Sequence, residues 1–353
     1  MPFARFHAGS IRRASSAAVM ALLLAGSGAF AQRGAGTLSA PQSTPVSFVT
    51  MAQAVEQQDY TVEQLRRFID PQGQVTTVRE QVKVDANGTE VPPCLVTFLG
   101  VEGELPGSPL HTKWEQTYGR YGQLFHRHGS FGVRSLGKVQ QNYGFYEIGT
   151  VVRAGRSAVR AVVFPVSTDK SIWIVDVDAA TKVPLYWAEF DLQFRLLAEV
   201  EVVVFVDSVV MPAMASPVPT VQHASFAAAD SWLGSPAGLI EPQAALADYA
   251  IGQIETRQDP LSGQQRLVVT FTDGVDQFLV SQVPATPDVF SGLLPKVRGG
   301  AATGHTIARF QDASMRVLLF WEDGVSFQVA GRGSLTRLDE VAQHVYRQAL
   351  STN

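Results

Sequence analysis

Cysteine is almost absent from this chain of 353 residues, because Cys94 is the single one. An intrachain disulfide is therefore excluded, and so is a metal site built from cysteines. Charge is also sparse, at 17% of residues, and the formal net charge of −4 lacks the basic excess typical of nucleic-acid-binding domains. Apolar residues make up 46% of the chain and include 20 Phe, 8 Tyr and 5 Trp. This composition predicts a folded protein with room for two domains.

No apolar run reaches the roughly 20 residues that span a bilayer. A shorter run, 17–25, follows three arginines and is followed by Ala29-Phe30-Ala31. A basic start, a short apolar stretch and a small-x-small end are typical of a secretory signal, whereas a core helix rarely begins with three arginines and no acid. We therefore predict a signal peptide over residues 1–31, cleaved near Ala31. Cleavage removes three basic and no acidic side chains, so the charge becomes −7, which argues against DNA as a partner.

Residues 46–206 are expected to form one antiparallel sheet with helices, after a Gly-, Ser-, Thr- and Pro-rich flexible start over 32–45. Periodicity and turn residues predict a helix over 45–58 and strands over 60–69, 75–85, 94–99, 145–153, 157–166, 170–178, 183–190 and 194–206. Within 75–85, valines alternate with Arg79, Glu80 and Lys83. This alternation indicates a sheet with one wet face, which favours antiparallel pairing.

Aromatic residues mark one helix among these strands. Trp114, Tyr118, Tyr121 and Phe125 follow one another at spacings of four, three and four within 112–125, which puts them on one helical face. A helix with such a bulky apolar stripe must cover another surface, and the neighbouring strands offer one. We expect this helix to lie over the sheet as a lid.

The second part of the chain begins after residues 207–225, which lose all periodicity and hold three prolines in eight residues. That composition predicts a linker between domains. Within 226–353, two pairs of strands meet across Asp273-Gly274 and Asp323-Gly324, and Asp-Gly favours a tight primed turn. A capping-box-like start at Thr336 predicts a C-terminal helix. The second domain is thus expected to be a small antiparallel sheet covered by this helix.

Several segments resemble the RseB/MucB family of exported regulators of envelope-stress sigma factors, whose N-terminal domain is similar to the lipoprotein carriers LolA and LolB. They are the helix opening 51–55, the lead 152–158, the hairpin Asp169 to Leu185, the strand 196–201, the turn 271–274 and the glycine-rich 298–303. The resemblance covers 46–206 well and 230–350 loosely. The stretch 118–145 departs from the family pattern.

The resemblance implies an α+β fold: a curved antiparallel half-barrel sheet with a helical lid, LolA-like, followed by a smaller antiparallel α+β domain. It also implies an apolar concavity able to hold an acyl chain, and a one-sided sheet with inward aromatics independently favours such a site. Candidate wall residues are Phe68, Trp173, Val175, Trp187, Val200 and Val202, with Trp114, Tyr118 and Tyr121 on the lid. The alternative is that these residues are ordinary core.

Few residues suggest covalent or metal chemistry. His126 and His128 would share a face on a strand and ligate a metal there, but their neighbours favour a solvated loop, and we predict no metal site. Asp176 and Asp178 precede a turn, which favours the wet face of a hairpin over a pair of catalytic carboxylates. Cys94 is expected at a buried strand start, where it is not a nucleophile. No hydrolase, metalloprotease or phosphate-loop motif occurs, so we predict neither an enzyme nor a cofactor.

Three functions are consistent with the sequence. The first, implied by the resemblance, is a periplasmic regulator that docks on the periplasmic part of an anti-sigma factor and senses a lipid or lipoprotein acyl chain. The second is a periplasmic lipid or lipoprotein carrier of the LolA type, and the third is an enzyme with an unrecognised site. The second domain favours the first function, because it supplies a partner surface that simple carriers lack. We predict no nucleic-acid partner and no integral membrane segment.

Overall fold

The computed structural model describes the larger part of the chain after residue 44. The described residues are 45–69, 73–86, 94–167, 170–211, 220–233, 248–258, 265–284, 308–312, 315–322, 325–331 and 341. The predicted signal peptide, most of the predicted flexible start, the Asp323-Gly324 turn and the glycine-rich 298–303 lie outside these residues. Chain contacts group Thr44–Asn353 into one compact unit.

The first sheet has eight antiparallel strands in the order β3-β2-β1-β8-β7-β6-β5-β4. Its elements are α1 (Phe48–Gln57), β1 (Tyr60–Ile69), β2 (Val75–Val84), β3 (Cys94–Val101), α2 (Pro109–Gly129), α3 (Leu136–Asn142), β4 (Tyr143–Arg153), β5 (Arg156–Pro165), β6 (Ile172–Asp178), β7 (Pro184–Phe190) and β8 (Leu196–Val206). These strands and the aromatic helix confirm the predicted elements, with differences of a few residues at their ends.

The sheet is bent but not closed, because β3 and β4 form its two outer edges. Register shifts interrupt several ladders, including those of β1 with β8 and of β4 with β5. Such bulges bend and twist strands, which explains the curvature. Helix α2 starts at the N-cap Ser108, whose side chain accepts a hydrogen bond from the His111 N–H at 3.2 Å. None of the helices in the described ranges is long and apolar enough to cross a membrane.

The second sheet has seven strands in the order β13-β14-β15-β12-β11-β10-β9. Its elements are β9 (Thr220–Gln222), α4 (Phe226–Leu233), β10 (Ala250–Gln258), β11 (Gln265–Thr272), β12 (Gln277–Pro284), β13 (Ala308–Asp312), β14 (Met315–Glu322) and β15 (Val325–Gly331). Val341, from the predicted C-terminal helix, is buried in this core, and the rest of that helix lies outside the described residues. The two antiparallel sheets with helices confirm the α+β class.

Strand β9 lies inside the stretch 207–225 that the sequence predicts to be linker. It pairs with β10, with Gln222 opposite Glu255. Three residues are too few for a visible alternation, and the prolines before them dominate the sequence signal. The division of the chain into two domains at this stretch stays a prediction.

The β11–β12 connection differs from the tight primed turn that Asp273-Gly274 predicts. Four residues, 273–276, connect the strands, and the Asp273 carboxylate accepts the N–H groups of Val275 and Asp276 at 3.1 and 2.8 Å. Gly274 takes a φ of +112°, and its carbonyl accepts the Arg134 N–H at 2.8 Å. The loop is longer because it enters the first sheet's core, where Val275 belongs to the same buried cluster as Trp173.

Candidate functional site

Three of the candidate wall residues meet beneath α2. Phe68 of β1, Trp114 and Tyr118 belong to one cluster of buried side chains, and each is at most 6% exposed. The Phe68 and Trp114 rings stack with their centroids 4.5 Å apart. The predicted lid is therefore closed onto the sheet, and a ligand between these rings requires α2 to move away from β1.

The remaining candidates pack elsewhere. Trp173, Val175, Trp187 and Val200 form a second buried cluster, in which the Trp173 and Trp187 ring centroids lie 5.7 Å apart. Val202 belongs to a third cluster. The side chain of Tyr121 lies outside the described part of the structure. The candidates are thus distributed over separate packed groups, and their role as ligand walls stays a prediction.

A buried ion pair lies between the sheet and the lid. Arg66 Nε donates to Glu80 Oε1 at 2.9 Å, and Gln64 Nε2 donates to the same oxygen at 2.6 Å. The exposed fractions of Arg66 and Glu80 are 2% and 0%, so the prediction of Glu80 on a wet face is wrong. The sequence could have predicted this burial. Glu80 lies two residues from both Val78 and Val82, so its side chain points to the same side of the strand as theirs, which is the inner side.

Arg66 also connects the sheet to the end of the lid. Its Nη1 donates to the Gly129 carbonyl at 3.3 Å and its Nη2 to Ser130 Oγ at 3.0 Å. The last carbonyls of a helix carry partial negative charge, which a cation stabilises. The guanidinium lies 5.8 Å from the centroid of the Trp187 ring. One side chain thus joins Glu80 of β2 to the C-terminal end of α2.

His126 and His128 lie in the last turn of α2, so the predicted solvated loop is wrong. Residues two apart on a helix point to different sides, so they do not share a face either. Partial burial, together with the charge of Arg66, lowers the pKa of His126 to about 4. Burial and the charge of Arg127 hold the pKa of His128 well below its usual range. Gln277 Nε2 of β12 lies 2.9 Å from His128 Nδ1, so this neutral ring contacts the second sheet.

The lowered pKa of His126 predicts a pH dependence of stability. In the unfolded chain His126 has a pKa near 6.5, and folding lowers it to about 4. The unfolded state therefore binds more protons between these values, and the stability that the neutral ring provides above pH 6.5 is lost as the pH falls towards 4. The free energy of unfolding is measured with urea at pH 7.0 and at pH 4.5. We expect it to fall less between these two pH values in His126→Gln than in the wild-type protein. Equal losses in the two proteins would contradict this assignment.

A second buried ionic group joins the two sheets. Asp273 Oδ2 accepts Tyr143 Oη and Lys170 Nζ, both at 2.8 Å, and the Asp273 carbonyl accepts Asn142 Nδ2 at 2.8 Å. Asp248 also pairs with Lys170. Burial alone lowers the pKa of Lys170, but the two carboxylates outweigh it and raise this pKa. The β11–β12 loop is thus bound to the first sheet by ion pairs as well as by the packing of Val275.

Asp176 and Asp178 are not on a wet face. Their exposed fractions are 0% and 2%, because arginines from β4 and β5 lie across the outer side of β6. Asp176 accepts Arg160 Nε and Arg153 Nε, each at 2.7 Å, and Asp178 accepts Arg156 Nε at 2.6 Å. Each carboxylate is neutralised by its own arginines, so the two do not form a catalytic pair.

Cys94 begins β3 as expected, but it is half-buried rather than fully buried. Its Sγ donates to Gln123 Oε1 of α2 at 3.3 Å. Burial raises the pKa of the thiol, so it is protonated at neutral pH and is a poor nucleophile. Its contact is with the lid.

No group of three or more His, Cys, Asp or Glu side chains that could hold a metal ion occurs among the described residues. A surface pocket of about 230 Å³ lies beside β3, between Arg79, Leu99 and His111. None of the candidate wall residues lines it. We take as the candidate site the lid α2, whose aromatic rings pack on the sheet, together with the buried charges at its C-terminal end.

Comparison with known proteins finds similarity in structure alone, since no family model and no curated protein matches the chain. The crystal structure of MucB is 15% identical over 84% of this chain and 94% of that chain, with a TM-score of 0.46. The protein is similar to MucB. The MucA/MucB complex of Pseudomonas aeruginosa is 17% identical over 83% and 95%, with a TM-score of 0.43. MucB bound to MucA(peri) is 15% identical over 84% and 95%, with a TM-score of 0.42.

Proposed function

We propose that this protein is an exported, periplasmic regulator of the RseB/MucB type, which docks on the periplasmic part of an anti-sigma factor and responds to a lipidic ligand. One observation carries the proposal: α2 belongs to both halves of the described structure. Its aromatic stripe covers the first sheet, and its last turn contacts the second. A ligand that displaces the lid therefore acts on the second sheet as well.

Hydrogen bonds connect the last turn of α2 to the second sheet. Gln277 Nε2 of β12 donates to the Arg127 carbonyl at 3.0 Å and contacts His128. Arg127 Nη2 reaches Glu255 Oε2 of β10 at 3.3 Å. Lifting α2 breaks these bonds, so a ligand that binds the lifted arrangement more tightly shifts the protein towards an altered second sheet.

The charged side chains of the candidate site favour binding over catalysis. Glu80 is neutralised by Arg66, Asp273 by Lys170, and Asp176 by two arginines. A general base must lie beside the group that it deprotonates, and each of these carboxylates lies beside an arginine or a lysine instead. We therefore propose a binding protein without a cofactor.

The test is direct binding to the anti-sigma factor. Residues 32–353 are titrated by isothermal calorimetry with the purified periplasmic segment of a single-span anti-sigma factor from the same genome. We expect saturable binding with a Kd at or below about 1 μM, equivalent to about 8 kcal/mol. The folded state of both proteins is checked by circular dichroism. No heat change at 50 μM of folded partners would rule out the docking function.

A periplasmic lipid or lipoprotein carrier of the LolA type is the second candidate, favoured by the aromatic rings between α2 and β1. Carriage requires α2 to move away from β1. A bound acyl chain then lies between the Phe68 and Trp114 rings and contacts both. Lipid copurified with residues 32–353 is sought by mass spectrometry, and palmitate is added to the delipidated protein. We expect the melting temperature to rise with palmitate and not with butyrate. The absence of copurified lipid together with an unchanged melting temperature would exclude this candidate and the lipid-sensing part of the regulator.

A further inference from the structure

The last turn of α2 meets β12 through two buried side chains, His128 and Gln277, each of which is 6% exposed. Gln277 Nε2 donates to the Arg127 carbonyl at 3.0 Å and lies 2.9 Å from His128 Nδ1. If the amide were reversed, Gln277 Oε1 would face the Arg127 carbonyl oxygen, and two acceptors would be in contact. The NH2 group therefore faces α2, and because an amide nitrogen only donates, His128 Nδ1 must accept its second hydrogen.

The His128–Gln277 contact requires a neutral ring. A neutral imidazole whose Nδ1 accepts carries its proton on Nε2. Within the described part of the chain, His128 Nε2 is buried and has no hydrogen-bond partner. In the protonated ring both nitrogens are donors, so the Nδ1 hydrogen would point at the Gln277 NH2 group. Protonation thus replaces a hydrogen bond by two facing donors.

The charges around the ring also oppose its protonation. Arg127 belongs to α2, Arg134 follows this helix, and Arg257 lies in β10. Burial, together with these three charges, holds the pKa of His128 well below its usual range. Glu255 of β10 pairs with Arg127 and Arg257, which offsets part of their charge, and β12 contributes the neutral glutamine. A proton on His128 therefore adds a positive charge where guanidinium groups already lie.

We propose that the His128–Gln277 contact is a pH-sensitive connection between the lid and the second sheet, which acid breaks by protonating His128 Nδ1. The proton comes from solvent and binds to the lone pair that accepts the Gln277 hydrogen. The ring then leaves Gln277, and acid releases this end of α2 from β12 without a ligand. The inference rests on the proposed function for its regulatory role, but its test needs neither a partner protein nor a lipid.

Proton binding gives the direction of the pH dependence. A detached, solvated His128 has a pKa near 6.5, whereas the pKa of the ring in the contact is lower. The detached state therefore binds more protons below pH 6.5, so the contact is most stable above this value and weakens as the pH falls. Between pH 7.5 and 5.5, the ratio of detached to attached molecules is expected to rise about 10-fold.

The first measurement is the protonation state of the ring in residues 32–353, obtained by NMR from the chemical shifts of the imidazole nitrogens. At pH 7.5 we expect the His128 proton on Nε2 and none on Nδ1. A proton on Nδ1 would overturn the proposal, because Gln277 could not donate to that atom.

The second measurement is the exchange rate of the Gln277 Nε2 hydrogens with solvent, divided by the rate of free glutamine at the same pH. From pH 7.5 to 5.5 we expect this ratio to rise about 10-fold in the wild-type protein. In His128→Asn it should rise less than about threefold, because Asn Oδ1 accepts in place of Nδ1 and does not titrate. Asn142 Nδ2 is the internal control, since it donates to the carbonyls of Asp248 and Asp273, and its ratio should stay nearly constant. An equal rise in the wild-type protein and His128→Asn, or an equal rise at Gln277 and Asn142, would overturn the proposal.

Gln277→Glu is an independent test that does not depend on the folding of His128→Asn. A carboxylate accepts from the protonated ring, so the pH at which His128 titrates should rise by about one pH unit or more. The imidazole nitrogen shifts measure this titration in both proteins. A His128 titration at the wild-type pH or below it would contradict a contact between these two side chains that depends on the charge of the ring.

Failure of this inference differs from failure of the proposed function. Gln277 exchange that depends on His128 and pH, in a protein that binds no anti-sigma segment, supports the connection and removes its proposed role. An anti-sigma segment that binds, while Gln277 exchange is independent of pH, leaves the docking function intact and overturns the pH-sensitive connection.

Discussion

Replacing Gly274 with alanine is expected to lower the free energy of unfolding by about 2–5 kcal/mol. A Cβ at this position would lie 2.2 Å from the Val139 backbone nitrogen and 2.5 Å from its Cα, so helix α3 or the β11–β12 loop must shift. The φ of +112° adds strain of about 1–2 kcal/mol for an L side chain, and overpacking adds about 1–3 kcal/mol. Urea unfolding followed by tryptophan fluorescence measures the loss.

Gly73→Ala is the matched control, because Gly73 has a φ of +80° and no atom within 4 Å of an added Cβ. It carries the backbone strain without the overlap, so we expect a loss of about 1–2 kcal/mol. Amide exchange gives a second measurement: the Arg134 N–H, which donates to the Gly274 carbonyl, should exchange faster in Gly274→Ala and unchanged in Gly73→Ala. Losses of equal size in the two variants would contradict the close contact of this loop with α3.

The sequence predicts the elements well where a local pattern determines them. The alternation in β2 and the aromatic spacing in α2 depend only on residues that are close in the chain, and both elements form as expected. The Asp273-Gly274 hairpin also forms, but its loop is longer than predicted, since its conformation depends on α3. The β9 strand shows the same limit, because its three residues become a strand through pairing with β10.

The charged groups of the site were harder to predict, for a physical reason. Alternation shows on which side of a sheet a residue lies but not what covers that side. Asp176 is buried by Arg153, 23 residues away in the chain, and Asp273 by Lys170, 103 residues away. Such partners follow from the assembled fold, so local polarity led to the wrong expectation of a wet face for Asp176 and Glu80.

Replacing Glu80 with glutamine is expected to lower the free energy of unfolding by about 3–5 kcal/mol, because it leaves the Arg66 charge buried without a carboxylate. Glu63→Gln is the matched control on the neighbouring strand. Glu63 pairs with Arg79 at 2.7 Å, but the two side chains are 29% and 49% exposed, so its loss should stay within about 1 kcal/mol. Urea unfolding at pH 7 compares the two, and equal losses would contradict a buried, charged Arg66.

A double variant separates the stability of this ion pair from its role at the lid. Replacing a buried pair by apolar residues of similar volume is often neutral or stabilising, so Arg66→Met with Glu80→Leu should restore most of the stability that Glu80→Gln loses. It cannot restore the hydrogen bonds from Arg66 to Gly129 and Ser130, which hold the end of α2. We therefore expect amide exchange in the last turn of α2 to stay faster than in the wild-type protein. Wild-type exchange rates there would show that Arg66 stabilises the core without holding the lid closed.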